Sequence, residues 1–240
     1  MKQNALEIFA ISSALALCFC LSANGCSKGI TRATAATVFF VRGNVVFGNT
    51  ERNDFQPVTS KSKIHAGDTV RTSDGASINL ALMPGVFVQL SENSEIRIQE
   101  LRLTKDGNET AGGVLGRRAS IRLNGGRIVG LFSHSDTSAS EFNVTTGQVM
   151  LKPDSDCLFS LWTDGTTSRV TCGRGEVRTS ADAQAPMKID AGYFSQWPTP
   201  SKKPNAATAD ASAQMEIKTS LEAEQELLDQ AAGWQNRRVF

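Results

Sequence analysis

The stretch "GDTVRTSDGASINLALMPGVFVQL", Gly67 to Leu90, decides the fold. Ile78, Leu80 and Leu82 fall on one side of an extended chain, and Val86, Val88 and Leu90 do the same after Pro84-Gly85. Successive side chains of a strand point to opposite faces, so these two runs predict an antiparallel pair joined at Pro84-Gly85. Just upstream, Gly67-Asp68 and Asp74-Gly75 are turn dipeptides, and Thr69, Arg71 and Ser73 alternate with Val70 and Thr72 as in a strand. His65, Asp68, Thr72 and Asp74 are crowded into the same dozen residues. Turn chemistry accounts for them as scaffold; a ligand role for His65, Asp68 or Asp74 is the alternative.

The pattern extends in both directions. "VFFVRGNVVFG", "SEIRIQELRL", "ASIRLNGGRIVGLF", "EFNVTTGQVML", "GEVRTS" and "MKIDAGYFSQW" each read as strands or hairpins. In Ile96 to Leu103 the apolar phase slips by one at Gln99-Glu100, which predicts a bulge. A Gly-x-Val/Ile step at Gly43, Gly126, Gly147 and Gly175 has no strict period and reads as repeated entry of a glycine turn into a strand. The expected fold is all-β, a twisted β-sandwich or a solenoid-like stack of short antiparallel strands, with a C-terminal helix. A chain of 240 residues with 20 Gly and 20% charged residues can build one such core. A net charge of +1 gives no reason to expect nucleic acid as a partner.

The ends read differently from the body. "MKQNALEIFAISSALALCFCLSANGC" has one early Lys, an apolar run from Ile8 to Leu21, and small residues before Cys26. The run is shorter than the roughly twenty residues of a membrane-spanning helix, so residues 1–25 read as a signal peptide. Ala23 and Gly25 before Cys26 resemble a bacterial lipobox, in which the cysteine thiol carries the lipid. Cleavage without lipid, or an uncleaved anchor, are the alternatives. The expected location is the bacterial cell envelope, periplasm or outer membrane, with the protein lipid-anchored through Cys26 and residues 26–36 as tether. Past Trp197, "PTPSKKPNAATADASAQ" has the composition of a linker over 198–213. Residues 214–233 then predict an amphipathic helix that stops at Gly233, with Ile217, Leu221 and Leu228 on one stripe. That helix either docks on its own body or binds a partner.

Two cysteines remain in the body, Cys157 and Cys172 of "CLFSLWTDGTTSRVTC". A two-residue turn at Asp164-Gly165 sets Phe159 opposite Val170 and Cys157 opposite Cys172, within reach of a disulfide. Two free buried thiols are the alternative.

Other candidate chemistry is sparse. His65 and His134 stand far apart without Glu or Cys at ligand spacing, so neither metal nor cofactor is expected. "SHSDTS", Ser133 to Ser138, has the residue types of a triad, but a triad is defined by geometry across a fold, and no catalytic residues are assigned. Arg117, Arg118, Arg122 and Arg127 form a solvated strand face or a contact for an anion or an acidic glycan.

With the strands laid out, the middle of the chain resembles the FecR family domain over roughly residues 37–197. The resemblance rests on "FFVRGNVV" (Phe39 to Val46), Gln56 to Leu90, "IRLNGGRIV" (Ile121 to Val129), "FNVTTGQV" (Phe142 to Val149) and "VTCGRGEVRT" (Val170 to Thr179), closing at Gly192. Its most specific element is Gly67-Asp68-Thr69-Val70-Arg71-Thr72. Where the family has Asp-Gly-Ser between the paired strands, this chain has Pro84-Gly85-Val86. The FecR regulator carries a sigma-binding segment and a membrane helix ahead of this domain. A signal peptide stands there here, so a direct anti-sigma role is not expected. The resemblance implies a non-enzymatic binding or scaffold module for an envelope protein or polysaccharide. A component of envelope signalling, working through a separate membrane-spanning regulator, is the alternative.

Overall fold

Alternating runs form the strands and turn residues end them. The computed structural model describes residues 29–105, 114–134, 138–181 and 185–237. In chain order the strands are β1 (Ile30–Ala33), β2 (Ala35–Arg42), β3 (Val45–Gly48), β4 (Gln56–Pro57), β5 (Lys63–His65), β6 (Thr69–Thr72), β7 (Ser77–Met83), β8 (Val86–Leu90) and β9 (Ser94–Lys105). They continue as β10 (Val114–Phe132), β11 (Ala139–Thr145), β12 (Met150–Lys152), β13 (Cys157–Thr163), β14 (Ser168–Arg174), β15 (Glu176–Ser180), β16 (Met187–Asp190), β17 (Tyr193–Trp197) and β18 (Asn205–Ala206). A short 3-10 turn, Ala207–Ala209, leads into the helix α1 (Ala211–Arg237).

The long strand β10 organises everything else. Its first part pairs with β9 and β11, and its last seven residues pair with β13, with β8 alongside from Ile128. One sheet therefore runs β4-β3-β6-β9-β10-β11-β12-β15-β16, with β1 added beside the far end of β9. The other runs β5-β2-β7-β8-β10-β13-β14-β17-β18. The two are not closed into a barrel; they face each other as a twisted sandwich joined through β10. The β10–β11 pair is parallel, an exception to the antiparallel rule expected from the sequence.

Gly126 makes the joint. Its φ of +87° lies in the left-handed region, and a Cβ there would sit 2.5 Å from the Cα of Ser94. The Arg127 N–H donates to Ser94 Oγ at 2.9 Å and holds the bend. Only glycine accepts both the backbone angle and the contact.

Between the sheets lies one core. Val70, Ile96, Ile121 and Val144 face inward from the first sheet; Ile78, Val88, Leu161 and Val170 face them from the second. Phe142 bridges the layers, with its ring centroid 6.4 Å from Phe132 and 6.2 Å from Phe159. The expected hairpin is present, with Ile78 opposite Leu90. So is the bulge: Glu100 pairs with Ser120 and Ile98 with Ile121, leaving Gln99 unpaired in the register.

The termini of the body depart from expectation. β1 and the start of β2 lie within or against the residues assigned to the tether, so the body begins by Ile30. The segment read as a linker is anchored: Asn205–Ala206 pairs with β17, and Ala207 is buried. Asp210 caps the helix, its Oδ1 accepting from Ala213 N–H at 2.9 Å. The helix consequently starts at Ala211 and continues through Gly233 rather than stopping there.

Candidate functional site on the covered sheet

The two sheets differ on their outward faces. That of the β9–β15 sheet, the open sheet, is polar and no described element lies over it. The other, the covered sheet, carries α1 across it. Residues Ala213, Glu216, Ser220, Ala223, Leu227 and Ala231 recur at three- and four-residue spacing and form the buried stripe of the helix. Small side chains bring the helix close to the sheet. Ala223 and Leu227 pack on Val129, Leu131 and Leu158, and Ala213 with Ile217 packs on Phe194.

Between these apolar contacts runs a seam of charge. Glu216, 4% exposed, accepts from Thr171 Oγ1 at 2.5 Å and lies 3.5 Å from Arg127 and 3.9 Å from Arg169. Arg169 also reaches Asp210 at 3.7 Å and lies over the Phe194 ring. Further along, Arg174 pairs with Glu224, Gln89 donates to Glu226, and Asn79 donates to Gln230. The helix supplies acceptors and the sheet supplies donors. The match is incomplete: Asn79 Oδ1, Arg127 Nε and Ser160 Oγ are buried on this face without a hydrogen-bond partner among the described residues.

The stripe read from the sequence faces elsewhere. Leu221 and Leu228 are 46% and 45% exposed on the far side of the helix, and Ile217 is half-buried at the edge of the contact. Polar residues hid the true face, since Glu216 and Ser220 score as surface in any hydropathy reading. The signal that could have found it is the run of small residues at helical spacing.

The four arginines do not form one face. Arg117 points inward and bridges the sheets, donating to Ser140 Oγ and to the Pro84 carbonyl. Arg118 pairs with Glu141 at 2.8 Å on the open sheet, Arg122 is exposed there, and Arg127 lies beneath the helix. The alternation along β10 and its bend at Gly126 separate them.

Cys157 and Cys172 are free buried thiols, which corrects the expected disulfide. The loop between β13 and β14 has four residues rather than two. Asp164 Oδ1 accepts from Thr166 N–H at 2.8 Å and Thr167 N–H at 2.7 Å, so Thr163 pairs with Ser168 and Phe159, not Cys157, lies opposite Cys172. Those bonds hold the Asp164 carboxyl below its usual range. Burial pushes the Cys172 thiol up to about 12 and the Cys157 thiol higher, which keeps both protonated and inert.

Around the opening stretch, the groups act as turn hardware. Asp68 Oδ2 accepts from His65 N–H at 2.8 Å, Gly67 has φ +96°, and Asn93 donates to Asp74. His134 N–H donates to Asp156 at 2.6 Å, and Asp136 of the Ser-His-Asp stretch lies outside the described residues, as does Cys26.

Residues 68–178 match the family model described as FecR protein, so this part of the chain, from β6 into β15, is a FecR domain. In fold the chain is similar to two crystal structures of a candidate anti-sigma factor from Parabacteroides distasonis ATCC 8503. One shares 12% identity over 57% of this chain and 59% of that one, with a TM-score of 0.41. The other shares 14% over 60% and 65%, with a TM-score of 0.43. This chain thus spans less than two thirds of either neighbour. No curated protein matches it.

Proposed function

We propose that the protein is a non-enzymatic binding module of the bacterial cell envelope, lipid-anchored through Cys26, that serves envelope signalling through a separate membrane-spanning regulator. The FecR domain supports the signalling class. The observation that carries the mechanism is the make-up of the α1 contact, small and polar side chains around a single large apolar one. Leu227 is the one large apolar side chain of its described residues that is fully buried. Burying such a side chain contributes about 1.5–3 kcal/mol, comparable with the cost of ordering a few residues. The Glu216 seam adds little net stability, because desolvating a carboxylate offsets much of its attraction to Arg127 and Arg169. The helix is therefore an exchangeable occupant of the covered sheet. Its release frees a face with unmatched donors and an acidic helix for a partner.

The test is in-cell crosslinking followed by mass spectrometry, comparing the full chain with Glu216→Gln. A single membrane-spanning protein, captured more strongly when the seam is weakened, is the expected result. Capture of no protein by either form overturns the proposal. Loss of membrane association and of palmitate labelling in Cys26→Ala tests the anchor separately.

A further inference from the structure

We infer that a cleft on the open sheet, remote from α1, is a binding site for a carboxylate-bearing glycan. The row Thr31, Thr104, Gly116 and Ala139 crosses β1, β9, β10 and β11 at one end of the sheet. Gly116 has no side chain, and the gap it leaves forms the floor of a cleft of about 630 Å³, within the size range of small-molecule and sugar sites.

The charge of this cleft is one-sided. Arg102, Arg118 and Lys152 stand along it, against Glu141 as its one carboxylate. Glu100, just outside the lining, accepts from Arg102 at 3.1 Å and lies 4.0 Å from Arg118. Arg117 belongs to the wall through its strand, but its guanidinium turns inward to Ser140 Oγ and the Pro84 carbonyl and is left out of the balance. Counting both acids, one cation remains in excess. This is Lys152, which makes no ion pair among the described residues, and an anion in the cleft gains from its charge.

The rest of the lining selects among anions. Thr31 and Thr104 join through their hydroxyls at 2.9 Å, a paired donor and acceptor that suits the alternating donors and acceptors of a sugar ring. Leu115, 41% exposed at the rim, offers an apolar patch to the C–H face of a pyranose. The cleft is open-sided, as a chain passing through it requires.

The experiment is calorimetric titration of the full chain with oligogalacturonate at low salt, beside its methyl ester of equal length and poly-L-glutamate. The uronate binds, and the ester and the polypeptide bind at least about ten-fold more weakly, the loss expected when charge-assisted hydrogen bonds are removed. Lys152→Gln and Gly116→Leu each weaken uronate binding by about ten-fold. Gly116→Leu fills the floor without strain at the backbone, since a Cβ there meets nothing nearer than 3.6 Å. Glu141→Gln removes the competing carboxylate and strengthens binding, a change that mere damage to the fold does not produce. Glu216→Gln leaves uronate binding unaltered, which keeps this test separate from that of the helix. Equal binding of ester and uronate, equal binding of poly-L-glutamate, no uronate binding at all, or indifference to Gly116→Leu each overturns the inference.

Discussion

The open and covered sheets enclose the same core, yet the outward face of one meets water and that of the other a helix. On the open sheet the outward residues are Arg97, Glu100, Arg102, Arg118, Glu141 and Arg178, tied in cross-strand pairs such as Arg118–Glu141. On the covered sheet they include Phe87, Val129, Leu131, Leu158 and Phe194. Strands buried on both faces read as continuous apolar runs, and those with one solvated face alternate. "RIVGLF" and "CLFSLW" are of the first kind, "EIRIQELRL" of the second. The cover was thus written into the sheet before the helix is considered.

The joint between the sheets is the most sensitive point of the body. Gly126→Ala forces a left-handed alanine against the Ser94 backbone and costs about 3 kcal/mol or more, read as a lowered denaturant midpoint. Leu227→Ala, under the helix, costs about 2–3 kcal/mol and raises protease sensitivity in α1 before the body. Glu216→Ala leaves Arg127 and Arg169 without their shared carboxylate. Because both arginines keep some solvent, the cost is about 1–2 kcal/mol, below that of a fully buried pair. The matching change on the open sheet, Arg118→Ala, costs less than about 0.5 kcal/mol, since that pair is well exposed and screened.

The thiols of the core give a pH test that involves neither outer face. Cys172 ionises near 9.0 when exposed and at about 12 in the fold, chiefly through burial. As pH rises above 9 the unfolded chain releases the proton first, so this contribution to stability is full below pH 9 and is lost progressively toward 12. Denaturant midpoints of the wild type fall over that window more steeply than those of Cys172→Ala. At pH 8 Ellman's reagent titrates neither Cys157 nor Cys172 until the protein unfolds.

Much of the body was legible because its signals are local. Gly67-Asp68, Pro84-Gly85 and the phase slip at Gln99 each fix geometry within a few residues, and the positive φ of Gly43, Gly126 and Gly175 explains three of the four Gly-x-Val/Ile steps. The failures share a cause, which is that distance along the chain misleads about the third dimension. Asp164 builds a longer turn through its side chain and moves the register of the cysteines by two residues. A cluster of arginines in sequence becomes three separate environments once β10 alternates and bends. Glu216 of α1 is buried where Arg127 of β10 and Arg169 and Thr171 of β14 converge on it.

That α1 is an exchangeable cover on a stable body is open to native-state hydrogen exchange of the full chain. Amides of residues 214–232 are expected to exchange through an opening well below the global unfolding free energy, while those of β10 and β13 wait for global unfolding. Helix and strands exchanging together, at the global free energy, would contradict it.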